Sequence, residues 1–393
     1  MSSLKRFELN RWIHQYHHEA KYDLAGSCCD PIAIETLLQW SKEEGEQPPS
    51  ELDLFKTAQS YAPMGGDPRL RLRIAQSFYS RSSLGTENVL ATHGGITANF
   101  AVFLALVRAP SHVVCTFPTY QQLYDVPMSL GADVSLWKAR PDTHWRGSMK
   151  ELEGLLRPST RLLVLNHPNN PTGQVLSRGE MTQIIDLVRK ASPECYILCD
   201  EAHAPILHSA DGGQTATTFM DVATDSGFNR AIVTGSFSKS LSLAGIRVGW
   251  IATPDLALVE DLTTCLDHTV ISCTKLGTEL ALLALSDKIR TRILSRNVAL
   301  TRANADVLRA WCKAQGLEMT PCLGGAISLV HLGDDIDDVD FSQRACQESG
   351  TLLAPASTCF ETPHWVRVCL GVPTEELRAG LEALSSFLPQ YRR

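Results

Sequence analysis

One lysine set among serines, Ser236-Phe237-Ser238-Lys239-Ser240-Leu241, is the stretch of this 393-residue chain best suited to covalent chemistry. Gly245, Arg247 and Gly249 follow it, and an apolar run at 231–234 that reads as a buried strand precedes it. Its flanks are small and apolar (Leu241, Leu243, Ala244, Ile246, Val248), so the amine is expected to sit partly out of water. An amine held in that way can attack a carbonyl and carry a cofactor as a Schiff base. Read alone, such a lysine is more often a solvated charge. The other strand ends decide between the two.

Those strands are read from short apolar runs at 88–92, 112–116, 134–137, 161–166, 195–200, 231–234 and 248–252. Helical patterns separate them, near 96–107, 120–130, 149–156, 179–190 and 255–264. This alternation predicts an α/β fold with a mostly parallel, seven-stranded sheet covered by helices. One long helical stretch at 274–312 then leads to a shorter set, with strands near 326–332 and 366–370 and helices near 341–348 and 374–388, expected to form a smaller α+β domain. The expected division is 48–280 for a large cofactor-binding domain, with 1–47 and 281–393 forming the small one.

Open α/β sheets bind ligands beyond the carboxyl ends of their strands. The first run ends in His93-Gly94-Gly95-Ile96-Thr97, where two glycines expose N–H groups at a helix start. The second ends in Phe117-Pro118-Thr119-Tyr120, with an aromatic ring. The fourth ends in His167-Pro168-Asn169-Asn170-Pro171-Thr172-Gly173, a turn rich in amides. The fifth ends in Asp200-Glu201-Ala202-His203, a carboxylate closing an apolar strand. Taken singly, these are a tight turn, a core tyrosine, an ordinary loop and a strand cap. Taken with the lysine, they supply a phosphate nest, a flat stacker, an amide, a buried acid and a Schiff-base former. That set matches the needs of pyridoxal 5'-phosphate. Asp200, ionised beside the pyridine nitrogen, would keep it protonated and make the ring an electron sink.

Composition narrows the partners. The net charge is −7 with no long basic run, so neither nucleic acid nor an anionic membrane is expected as the main partner. The first 21 residues mix charges with apolar residues and lack a signal-peptide core, and no stretch is long enough to span a bilayer, so a cytoplasmic location is expected. The twelve cysteines are scattered without paired spacing, which reads as structural thiols and no metal site.

The order Tyr61-x-x-x-Gly65-Gly66, Asn170-Pro171-Thr172-Gly173, Asp200-x-x-His203, Ser236-x-Ser238-Lys239, Arg247 and Arg367 resembles fold-type I aminotransferases of class I/II, from about residue 20 to about 388. The resemblance implies that Lys239 carries the cofactor as an aldimine and shuttles the α-proton of an amino acid substrate. It implies that Asp200 pairs with the pyridinium, Asn170 with the phenolate oxygen, and Tyr120 stacks on the ring. Gly95, Ile96, Ser236, Ser238 and Arg247 match the phosphate site. Tyr61 matches a tyrosine that reaches the phosphate from the neighbouring subunit, which implies a homodimer with shared active sites. Arg367, with Asn170 and Gly26, matches the grip on the substrate carboxylate.

Two departures stand out. His203 occupies a position where most of the family has a tyrosine on the phenolate oxygen, and its own protonation is expected to tune the site near neutral pH. The N-terminal stretch reads Asp23-Leu24-Ala25-Gly26-Ser27-Cys28-Cys29 in place of the usual glycine-rich loop; with Trp12, Tyr16, Ala20 and Lys21 it resembles the capreomycidine-synthase group, aminotransferase-like enzymes that eliminate and close a ring. Transamination is the first expectation for function, and elimination, replacement or cyclisation the alternative. A non-catalytic ligand-sensing domain is a third reading, disfavoured by the intact lysine and the lack of a basic helical module. Cys28, Cys29, His203, His268 and Thr269 are candidates for the side-chain pocket.

Overall fold

The structure, a computed structural model, describes residues 4–46, 56, 58, 60–208 and 217–392. Its larger sheet has seven strands in the order Val89–Thr92, Gly249–Ala252, Ala231–Ser236, Tyr196–Asp200, Thr160–Asn166, His112–Phe117 and Asp133–Lys138. Gly249–Ala252 runs against both neighbours, and the remaining pairings are parallel. The central strands are buried on both faces, as near-continuous apolar runs require. Alternate residues divide between two cores: Leu163 and Leu165 join one, Leu162 and Val164 the other. Helices such as Gly95–Leu106 and Arg178–Ala191 cover those faces. Because the parallel strands share one direction, their carboxyl ends open on one edge.

A smaller antiparallel sheet orders Ala354–Pro355, Trp365–Cys369, Ile327–His331 and Glu318–Met319. Its core collects Val330, Val366, Val368, Leu381 and Leu384 with Leu24 from the N-terminal stretch. The sequence expectation of one helix over 274–312 needs correction. Two helices, Lys275–Ala284 and Asp287–Gln315, occupy it. Ser286 is extended (φ −60°, ψ 143°) and starts the second helix, with Asp287 favourably placed against the positive end. No glycine or proline marks this break; the Ser286-Asp287 start is the one local signal for it. The second helix, about 43 Å long at 1.5 Å per residue, sends Ile289 and Ile293 into the large core and Ala305, Leu308 and Cys312 into the small one. Among the described residues, no helix is long and apolar enough to cross a membrane.

Candidate active site

The carboxyl edge of the large sheet borders a cavity of about 280 Å³ lined by Lys239, Asp200, Asn170, Tyr120, His203 and Arg247, among others. Asp200 closes the strand Tyr196–Asp200 and is almost fully buried. Its Oδ2 accepts from Asn99 Nδ2 at 2.8 Å, and Oδ1 accepts from the Ala202 N–H at 2.9 Å. Asn99 is itself fixed, since its Oδ1 accepts from Thr234 Oγ1 at 2.7 Å. Burial pushes the Asp200 carboxyl up; the Ala202 N–H, Asn99 and Lys239 work against that shift. A positive group beside this buried acid would be held strongly.

The neighbouring strand ends at Ser236, whose Oγ accepts from the Ser238 N–H at 3.0 Å and tightens the turn before Lys239. Arg247 returns over that turn, donating Nη1 to the Ala244 carbonyl at 2.9 Å and to Ser238 Oγ at 3.3 Å. Its guanidinium lies against the start of the helix Gly95–Leu106: a Cβ built on Gly94 (φ +84°) would meet Nη2 at 2.5 Å. The first N–H groups of a helix have no acceptor within it, so Gly95 and Ile96 offer theirs beside a guanidinium and two serine hydroxyls. This is a cradle for a multiply charged anion such as a phosphate.

Asn170 donates its N–H to Asn166 Oδ1 at 2.6 Å, and its own Oδ1 accepts from Arg367 Nη1 at 3.0 Å. Arg367 is fully buried, and its Nη2 donates to the carbonyls of Ala25 and Gly26, while Nε has no partner. Arg367 and Gly26 therefore stand behind Asn170, outside the cavity's lining. Tyr120 packs against Phe7 with ring centroids 5.0 Å apart, and burial pushes its hydroxyl up to about 12. Tyr61 is 80% exposed and does not line this chain's own cavity. His203 lines the cavity with Nδ1 unpaired. Burial, then Lys239 and Arg367, bring its pKa down to about 3. It is neutral throughout the physiological range, contrary to the expected titration near pH 7.

Three of the five pocket candidates fall elsewhere. Cys29 is buried, with its N–H directed at the Lys239 carbonyl at 3.4 Å. His268 ends the helix Leu256–Asp267, and Thr269 turns its hydroxyl back to Cys265 O at 2.9 Å; neither lines the cavity. Cys28 does line it. Asn10, Asn99 and Asn166 also line it and were not foreseen. Asn99 was legible in principle, being four residues beyond Gly95 on the same helix face. Asn10 arrives from the helix Glu8–Tyr16 and carries no sequence signal. Of the described residues, none form a cluster able to hold a metal ion.

The donor set fits pyridoxal phosphate: an anion cradle at one end, a buried acid, an amide, an aromatic ring, and a primary amine facing the same space. The family model for aminotransferase class I and II matches residues 25–384. The chain is similar to capreomycidine synthase of Streptomyces vinaceus, 27% identical over 98% of this chain and 94% of the relative. It is also similar to the solved structure of a PLP-dependent aminotransferase from Streptococcus suis 89-1591, 30% identical, with a TM-score of 0.88 over 99% of this chain and 98% of that one. The solved PLP-dependent cyclase OrfR has a TM-score of 0.86 at 25% identity, over 98% of both chains.

Proposed function

We propose that Lys239 is the residue with which this chain, which belongs to the class I and II aminotransferase family and is a pyridoxal-phosphate enzyme, moves the α-proton of an amino acid in a transamination. The observation that carries this reading is the placement of the Lys239 amine in one cavity with Asp200, Asn170 and the Gly95–Arg247 cradle. When bound, pyridoxal phosphate supplies an electron sink that acidifies the substrate's α-hydrogen. The chain's own residues supply the rest. Gly95, Ile96, Ser236, Ser238 and Arg247 hold the phosphate. Asp200, fixed by Asn99, keeps a negative charge opposite the ring nitrogen. Asn170, held by Arg367 Nη1, would tie the ring's oxygen, and Arg367 behind it, with Gly26, would supply the positive charge that favours the substrate's carboxylate. Tyr120 orients the ring and, with the packed N-terminal helix, keeps water from the reacting carbon. Lys239 Nζ would take the α-proton from the substrate and hold it for return. His203, held neutral, provides a hydrogen-bonding group whose charge does not change across the neutral pH range.

A second reading, elimination with ring closure, draws support from one observation. The likeness to capreomycidine synthase includes the N-terminal residues that lie outside the 25–384 family match. Both readings share the proton transfer and differ in the bond that is made or broken after it.

The functional unit in this reading is a homodimer in which Tyr61 reaches the partner's phosphate site; its 80% exposure supports that assignment. A cytoplasmic location is supported by twelve free cysteines, none in a disulfide, and the likeness to capreomycidine synthase supports a biosynthetic role in amino-acid metabolism. The test is to add a panel of amino acids, arginine derivatives included, to the cofactor-loaded chain. Transamination converts the bound cofactor to its pyridoxamine form. Release of ammonia or a cyclic product without that form decides for the second reading.

A further inference from the structure

Lys239 does not stand free in its cavity. Its Nζ donates to Ser27 Oγ at 2.7 Å and lies 3.4 Å from Cys28 Sγ, groups more than two hundred positions away in sequence. Ser27 is 8% exposed and belongs to the N-terminal segment 24–32, which is stitched down along its length. The Leu24 N–H donates to Leu352 O at 3.0 Å, and Leu24 O accepts from the Cys369 N–H at 2.8 Å. Arg367 binds the carbonyls of Ala25 and Gly26. Beyond the serine, the Asp30 N–H donates to Gly371 O at 2.7 Å and the Ile32 N–H to Ser242 O at 3.1 Å. A Cβ on Gly371 would lie 2.1 Å from Cys28 O, so the segment is pressed against its neighbour with no slack. The Ser27 hydroxyl is thereby fixed in place relative to the lysine.

We propose that Ser27 is a positioning residue for Lys239, holding the free amine so that its remaining tetrahedral position faces the substrate. This rests on the reading of Lys239 as the proton-transferring group. An amine nitrogen has three positions beyond its own carbon. Two are directed at Ser27 and Cys28, and the third is left for the cavity. In the neutral amine, the third position holds the lone pair that takes the α-proton. A lysine side chain has four rotatable bonds and loses much of its freedom when it is pinned. Ser27 meets that cost before substrate arrives, which is the general advantage of preorganisation.

The test compares Ser27→Ala and Ser27→Thr with the unaltered chain in two measurements. The first adds pyridoxal phosphate to cofactor-free protein and follows the rate at which the visible Schiff-base band grows. The second follows exchange of the substrate's α-hydrogen in D2O. Ser27→Ala is expected to slow both about tenfold, with the final band height and KM within about twofold of the unaltered chain, because the loss is of orientation and leaves binding intact. Ser27→Thr, which keeps the hydroxyl, is expected to restore both rates to within about threefold. Ser27→Ala rates equal to those of the unaltered chain, or a threonine variant as slow as the alanine one, overturn the inference alone. An unaltered chain that forms no band overturns it together with the functional reading.

Discussion

Glu201 and Asp200 are adjacent carboxylates with opposite surroundings. Asp200 lines the cavity, while Glu201 turns into the protein and accepts the Phe219 N–H at 2.6 Å. Burial pushes Glu201 up to about 8, opposed by that N–H and reinforced by Asp221 and Asp200. The folded pKa is thus above the ordinary carboxylate value. Between that value and about 8 the unfolded chain binds fewer protons than the folded one, so stability falls as pH rises through the window. Glu201→Gln keeps the carbonyl acceptor and removes the titration. It should raise the thermal midpoint at pH 8 by roughly 2 °C or more and change it little at pH 5; equal midpoints at both pH values would count against a buried, protonated Glu201. At this scale the sequence was informative wherever a residue type was forced by chemistry and sat at a strand end, as with Lys239 and Asp200. It was silent on Ser27, whose partner depends on how the N-terminal segment crosses the small domain. It misjudged His203, because burial, invisible in the chain's order, sets that group's charge.

The elements that hold the site are legible to different degrees. Strand ends are read well because both faces of the sheet are covered, which leaves continuous apolar runs closed by polar residues. The closeness of two backbones is not read at all. Gly249 starts the antiparallel strand Gly249–Ala252, and a Cβ there would meet Gly94 C at 2.4 Å and Gly95 N at 2.5 Å. Those are main-chain atoms of the phosphate cradle and have no side-chain freedom with which to yield. Gly249→Ala is expected to cost about 1–3 kcal/mol of stability by overpacking and to weaken retention of pyridoxal phosphate at least tenfold, as read by urea midpoint and cofactor titration. A variant with unaltered cofactor affinity would show that the strand does not set the cradle. The helix break at Ser286 belongs here too: Ser286 and Asp287 are a favoured start for a helix, but the apolar pattern runs on across them.

At the scale of the whole molecule, one observation supports the proposed dimer. Tyr61 belongs to the motif order that resembles the family, yet it is exposed and does not line the cavity that holds Arg247. In a symmetric dimer each subunit can lend the same residue to the other. Co-expressed Tyr61→Phe and Lys239→Ala chains would then form a heterodimer with one intact site and about half the activity of an unaltered dimer, while each variant alone is impaired. Verified heterodimers without recovered activity would remove Tyr61 from the site. The seven-stranded architecture was open to reading from alternation alone, but the seating of the N-terminal segment between the two sheets was not, since its contacts are tertiary throughout.

In the proposed reaction Lys239 moves the α-proton, and the bound cofactor would take up the electrons left behind. The most direct measurement tracks the visible spectrum of cofactor-loaded chain, unaltered and Lys239→Ala, as amino acid is added. The unaltered chain should lose its Schiff-base band and gain the pyridoxamine form, while Lys239→Ala, which starts without that band, gains the pyridoxamine form at least about 10²-fold more slowly, as loss of a positioned general base requires. A Lys239→Ala chain that keeps the internal band and converts at the rate of the unaltered chain would remove Lys239 from that role.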